Sequence, residues 1–190
     1  IRTPNDASAL GIETVYQDLA LADNLDIVQN MFLGREKRTR GLLDEDSMER
    51  AAAETLADLH VTTVRSIRQP VATLSGGQRQ AVAVAKAVMW NSKLVMLDEP
   101  TAALGVAQTR QVLDLVKRLA AQGLAVVLIS HNLHDIFEAA DRITVLRLGR
   151  NAAVFDRREV SQEEVVHAIT AGVPTKVSGV SQSTDQEGQE

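Results

Sequence analysis

From Leu94 onward, short apolar runs alternate with stretches of helical period, and this alternation limits the folds open to the chain. Leu94-Val95-Met96-Leu97 is a strand-length run bounded by Asp98-Glu99-Pro100. Val112, Leu115, Val116 and Leu119 recur at i, i+3, i+4 and i+7, the spacing of an amphipathic helix that Gly123 is expected to end. Leu124 to Ile129 is a second strand-length run, followed by a helix with Leu133, Ile136, Phe137 and Ala140 on its inner face. Strand, helix and strand in this order predict a parallel sheet in an α/β fold. Ligands of such sheets sit beyond the carboxyl ends of the strands. Polar residues follow the apolar runs at those ends: Gln17 closing the strand GIETVYQ (11–17), Asp98 and Glu99 after Leu94–Leu97, and His131 after Leu124–Ile129 and Ser130.

The other segments read more simply. Residues 18–43 show weak periodicity, and the basic cluster Arg35, Lys37, Arg38 and Arg40 reads as a solvated face. A helix from Asp46, with Glu49 as its capping partner, aligns Met48, Ala51, Ala52, Leu56 and Leu59. Another starts near Ser75, with Ala81, Ala85, Val88 and Met89 on one face. Strands at Ile143–Leu146 and Ala152–Phe155 flank a turn at Gly149-Arg150, and Ser161 with Glu164 caps a last helix carrying Val165, Val166 and Ile169. Beyond Gly172 the chain turns to Ser, Gln, Thr, Gly and acid, the composition of a disordered tail. The 190 residues are 45% hydrophobic with no cysteine, which excludes disulfides and thiolate chemistry. A net charge of −5 does not favour a nucleic-acid backbone as partner. No apolar run reaches the ~18 residues of a membrane span, and the N-terminus has no signal-peptide core.

Four short motifs carry possible chemistry. In Leu74-Ser75-Gly76-Gly77-Gln78 a serine cap precedes two glycines that leave backbone N–H groups open to an anion, or the segment is simply a capped helix. Asp98 at a strand end suits Mg2+ held through water, and Glu99 suits a general base; the plain alternative is an acidic turn stopped by Pro100. His131 either meets a phosphate or caps the helix that follows. Gln17 can touch Mg2+ or water through its amide oxygen.

The order Gln17, LSGGQ, LVMLDEP, His131 resembles the ATP-binding subunit of ABC transporters over about residues 10–170, as Q-loop, signature, Walker B with its glutamate, and H-loop. The stretch ETVYQDLALADNLDIVQNMFLGRE is most similar to importers of monosaccharides such as ribose, xylose or fructose. The resemblance implies a P-loop NTPase, RecA-like core with an ABC α-helical subdomain. It divides the chain into a Q-loop strand (1–17), a helical signature subdomain (18–90), an ATPase core (91–172) and the tail (173–190).

It implies ATP and Mg2+ as cofactors in a sandwich of two cassettes. Ser75, Gly76, Gly77 and Gln78 would bind ATP held by the opposite cassette, Asp98 and Gln17 would serve Mg2+ through water, and Glu99, His131 and Gln17 would be the catalytic set. The partners it implies are a second cassette, a membrane permease engaged by the helical subdomain and, indirectly, a periplasmic sugar-binding protein, at the cytoplasmic face of the bacterial inner membrane and without nucleic acid. No G-x-x-x-x-G-K-[ST] occurs; the family places this Walker A loop, its strand and an N-terminal β-subdomain upstream. The expectation is that the chain as given is truncated at its N-terminus, exposes a sheet edge, and neither binds nor hydrolyses ATP alone. Gly105 stands where many members carry the D-loop Asp. The other readings are a soluble ABC-type ATPase of DNA repair or translation, and a non-catalytic fragment.

Overall fold

In the computed structural model, residues 1–90 and 92–171 are described; the expected tail, 173–190, lies outside them. The chain divides into two units, Ile1–Asp135 and Ile136–Glu190.

Thr3 opens the first unit. Its hydroxyl accepts from the Asp6 N–H, the Asp6 carboxylate accepts from the Thr3 N–H, and Pro4 occupies the first helical turn of α1 (Pro4–Ala9). Strand β1 (Ile12–Val15) follows and ends before Gln17, which begins a turn. The weakly periodic segment contains α2 (Ile27–Phe32), in which Ile27, Val28, Asn30, Met31 and Phe32 are all buried. With only Gln29 exposed, this helix shows no amphipathic stripe. Asn30 replaces water for the loop before it, accepting from Ala22 N–H and donating to the carbonyls of Ala22, Leu25 and Asp26. A small hairpin, β2 (Arg38–Thr39) with β3 (Leu42–Leu43), leads to α3 (Glu45–Asp58). Asp44, not Asp46, caps α3, accepting from Ser47 N–H; this bond and one from the Thr39 hydroxyl hold its carboxyl below the usual range.

Helix α4 (Gly76–Val88) starts at Ser75 as expected, but of the expected face only Ala85 is buried; Ala81, Val88 and Met89 are half-buried, while Val82, Ala83, Val84 and Ala87 are buried. It packs on α2, α3 and β1, and on α5 (Val106–Ala121). Helix α5 ends as the sequence predicts: Gly123, at φ 89°, donates to Ala120 O, and Leu124 donates to Leu119 O.

Strand β4 (Leu94–Asp98) lies between β1 and β5 (Ala125–Ile129), all parallel. Val15 pairs with Leu97, Leu97 with Leu128, and Asp98 with Ile129, so the three carboxyl ends share one rim. Val95 and Leu97 are fully buried, while Val127 and Ile129 on β5 remain 42% and 43% exposed. β5 is the sheet's edge among the described residues. Helix α6 (Leu133–Ala139) begins after His131; its buried residue is Asp135, while Leu133, Ile136, Phe137 and Ala140 are only half-buried.

In the second unit, β6 (Arg142–Arg147) and β7 (Arg150–Asp156) form an antiparallel hairpin with a bulge between Val145 and Leu146. Parallel pairing therefore stops at β5. The turn is Leu148-Gly149, one residue earlier than expected; both have positive φ, 48° and 73°, the twist a two-residue hairpin requires. Helix α7 (Gln162–Ala171) carries the expected Ser161–Glu164 capping box. Val165 and Ala168 are its buried residues; Val166 and Ile169 are exposed.

Candidate functional site

The shared rim brings two of the predicted residues into contact. Glu99 Oε1 accepts from the backbone N–H of His131 at 3.0 Å and lies 2.8 Å from His131 Nδ1. An ionised carboxylate only accepts, so Nδ1 carries the proton in this bond. Oε2 of Glu99 has no partner among the described residues and is free to take a proton. The Glu99 side chain is 19% exposed and the His131 ring 81%, so a sheltered carboxylate faces an accessible imidazole. Glu99 sits at φ 49°, where a residue with a Cβ is strained, and Ala103 in the same turn is at φ 58°. Strain of this kind costs on the order of 1–3 kcal/mol and persists where the surroundings enforce it. Here Glu99 N–H donates to Ile129 O at 2.9 Å, and Ala102 N–H closes the turn on Glu99 O at 3.0 Å.

Gln17 lies at the same rim by register, just past the Val15–Leu97 pair, in an exposed turn whose Leu19 and Ala20 also have positive φ. No hydrogen bond joins it to Glu99 or His131. Asp98 closes β4 and is half-buried. Among the described residues no group of three or more His, Asp or Glu could hold a metal ion. One carboxylate and one amide oxygen fit Mg2+, which keeps most of its waters and takes other ligands from substrate phosphates; they do not make a closed metal centre.

Ser75, Gly76, Gly77 and Gln78 form a separate cluster. The Ser75 hydroxyl accepts from Gln78 N–H at 3.4 Å, and Gln78 Oε1 accepts from Ser75 N–H at 2.9 Å. Gln78 Nε2 also donates to Thr63 O, tying the cap to the preceding loop. Ser75 and Gly76 are exposed, whereas Gly77 is buried. A Cβ on Gly76 would meet Leu104 Cδ2 at 2.9 Å, and one on Gly77 would meet Gln108 Cβ at 3.2 Å. The glycines thus let the start of α4 approach the segment after Glu99 and helix α5, a packing role not legible in the motif. Gly105 precedes α5, where its N–H donates to Gln108 Oε1.

The basic residues Arg35, Lys37, Arg38 and Arg40 are all exposed, as expected of a solvated face, but two of them also make specific contacts. Arg35 bonds Glu13 at 3.1 Å and Ser8 at 2.7 Å and stacks over Trp90, while Lys37 lies over Phe32. Together with Tyr16, Leu19, Met31, Leu33 and Lys86, Arg35 and Trp90 line a cleft of about 220 Å³ beside the Gln17 turn. Burial, then the charge of Arg35, lowers the pKa of Lys86. Arg68 joins three carboxylates, Glu49 at 2.8 Å, Glu45 at 3.3 Å and Asp26 at 3.4 Å; Glu49 first, then Asp26, raise its pKa.

The family described as ABC transporter matches residues 3–102. The fructose import ATP-binding protein FrcA of Rhizobium meliloti is 48% identical over 176 residues, 89% of this chain and 68% of that protein. The xylose/arabinose import ATP-binding protein XylG of Sulfolobus acidocaldarius is 43% identical over 176 residues, 93% of this chain and 70% of that protein. Of a longer relative, the ribose import ATP-binding protein RbsA 2 of Burkholderia ambifaria, 42% identical, the chain spans 32%. Among solved structures, the dimeric post-hydrolysis ATP-binding cassette MJ0796 bound to ADP and Pi aligns with TM-score 0.66 and 25% identity over 83% of this chain and 69% of that one. The ADP form of the cassette MJ1267 aligns with TM-score 0.69 and 22% identity, over 89% and 68%. A family matched over more than half of the chain, a relative 48% identical and a cassette fold converge: the chain belongs to the ABC transporter family.

Proposed function

We propose that this chain is part of the ATP-hydrolysing, energy-coupling subunit of an ABC importer for monosaccharides. The observation that carries the reading is the Glu99–His131 contact at the carboxyl rim, where one strand end supplies a base and its neighbour an imidazole. The import proteins for fructose, xylose/arabinose and ribose support the substrate class.

Bound ATP with Mg2+ would supply the terminal phosphate that water attacks. Glu99 accepts the proton of that water at Oε2, since Oε1 is engaged by His131. His131 holds the carboxylate in place and, when its ring is protonated, offers Nε2–H to an anion. Asp98 and Gln17 would hold Mg2+ through its waters, and Gln17 would couple the occupied site to the turn beside the cleft. Such chemistry relies on positioning and charge rather than on a covalent nucleophile. Ser75, Gly76, Gly77 and Gln78 serve the site of the opposite cassette, where the dipole at the start of α4 favours phosphate.

In this reading residues 1–17 carry the Q-loop strand, 18–90 the helical subdomain and 91–172 the ATPase core. The helical subdomain docks on a membrane permease that receives sugar from a periplasmic binding protein, at the cytoplasmic face of the inner membrane. No helix among the described residues is long and apolar enough to cross a membrane. The full-length protein is expected to co-purify with a multi-span permease and to hydrolyse ATP with it. Recovery as a permease-free ATPase stimulated by DNA or ribosomes decides against this reading.

A further inference from the structure

The function just proposed leaves one buried polar pair unused. Thr101, 9% exposed, lies in the turn between β4 and α5, and Asp135, 1% exposed, lies in the first turn of α6. Thr101 Oγ1 donates to Asp135 Oδ2 at 2.6 Å, across 34 residues of sequence. Asp135 Oδ1 is buried and has no hydrogen-bond partner among the described residues. A carboxyl group buried with one bond is a poor stabiliser compared with an apolar side chain of its size. Its placement therefore asks for a reason other than packing.

Geometry supplies one. The bond joins the segment that carries Glu99 to the segment that carries His131. The same two segments meet at Glu99 N–H on Ile129 O, 2.9 Å, and at Glu99 Oε1 on His131. The His131 contact is open to water, because its ring is 81% exposed. The Thr101 bond is not, and a hydrogen bond shielded from water is the stiffer restraint. It also sits within the strained turn: Glu99 and Ala103 have positive φ, and Leu104 N–H closes on Thr101 O at 3.2 Å. A turn held in such a conformation relaxes unless something fixes it.

We infer that Thr101 and Asp135 are a positioning pair, whose buried hydrogen bond locks the turn after β4 to α6 so that the Glu99 carboxylate stays against His131. Neither touches substrate; they act through Glu99, and the inference rests on Glu99 being the base. A base displaced by about 1 Å loses on the order of 100-fold in rate.

The test uses the full-length protein with its permease, each rate normalised to folded protein. Thr101→Val and Asp135→Ala are expected to lower kcat by about 10- to 100-fold while KM for MgATP stays within about threefold. Thr101→Ser and Asp135→Asn keep a donor and an acceptor, and are expected to stay within about threefold of wild type. The double variant Thr101→Val, Asp135→Ala is expected to be no slower than the worse single one, because both remove the same bond. Wild-type kcat in Thr101→Val, multiplicative losses in the double variant, or failure of both conservative variants overturns the inference. Glu99→Gln runs alongside: wild-type turnover there removes the base assignment itself. The lock is then judged by amide exchange, where Ala102 and Leu104 N–H must exchange at least about tenfold faster in Thr101→Val than in Thr101→Ser, and equal exchange overturns it.

Discussion

The rim at Glu99 and the cap at Ser75 are built in opposite ways. The cap is local: Ser75 and Gln78 satisfy each other within one helical turn, in an ordinary conformation. The rim is assembled from segments far apart in sequence, with Glu99 and His131 separated by 32 residues and the backbone strained at Glu99 itself. A local cap forms whenever its helix forms. A rim of this kind exists only when strand register, turn and buried bonds agree, so it is the part that substitutions at a distance can disturb.

The largest expected effect separates the two regions by function. In the full-length protein, Glu99→Gln is expected to lower ATP turnover by about 100-fold or more while nucleotide binding and pairing of cassettes persist, as steady-state hydrolysis and sedimentation would report. Unchanged turnover breaks the assignment of the rim. Ser75→Arg is expected to abolish the nucleotide-dependent pairing itself, because a long cation replaces the exposed cap. Wild-type pairing in that variant would show that the cap does not face a second cassette.

Smaller effects test the packing that joins the cap to the segment after Glu99. Gly77→Val places a branched side chain against Gln108, whose Cβ lies 3.2 Å from where the new Cβ would stand. It is expected to lower unfolding free energy by about 1–3 kcal/mol in chemical denaturation. Ser75→Ala removes only the side-chain acceptor for Gln78 N–H, and about 1 kcal/mol of stability is expected to go with it. A larger loss in Ser75→Ala than in Gly77→Val would reverse the view that tight packing, rather than capping, anchors this end of α4.

Much of the fold was legible because its signals are local and periodic. The run Leu94–Leu97, the stripe Val112, Leu115, Val116, Leu119, the Gly123 stop and the boxes at Ser75 and Ser161 each appear where expected. Helix α1 escaped although Thr3, Pro4 and Asp6 spelled out its start, because six residues without a buried side chain leave no stripe. Helix α2 escaped for the opposite reason, burial of every residue but Gln29. The cap of α3 fell on Asp44 rather than Asp46 because two acids stand close together and only the helix's first turn decides between them.

Sequence alone determined which residue types stand at the carboxyl ends of the strands, since polar residues following an apolar run mark the end of a buried strand. It also determined that Ser75 opens a helix, because that bond closes within four residues. Only tertiary structure decided that Glu99 Oε1 meets His131, that Gly77 sits against Gln108, and that Thr101 bonds Asp135. Those contacts depend on the register of parallel strands and on strained turns, and parallel neighbours are joined by long connections, so no short window of sequence contains them.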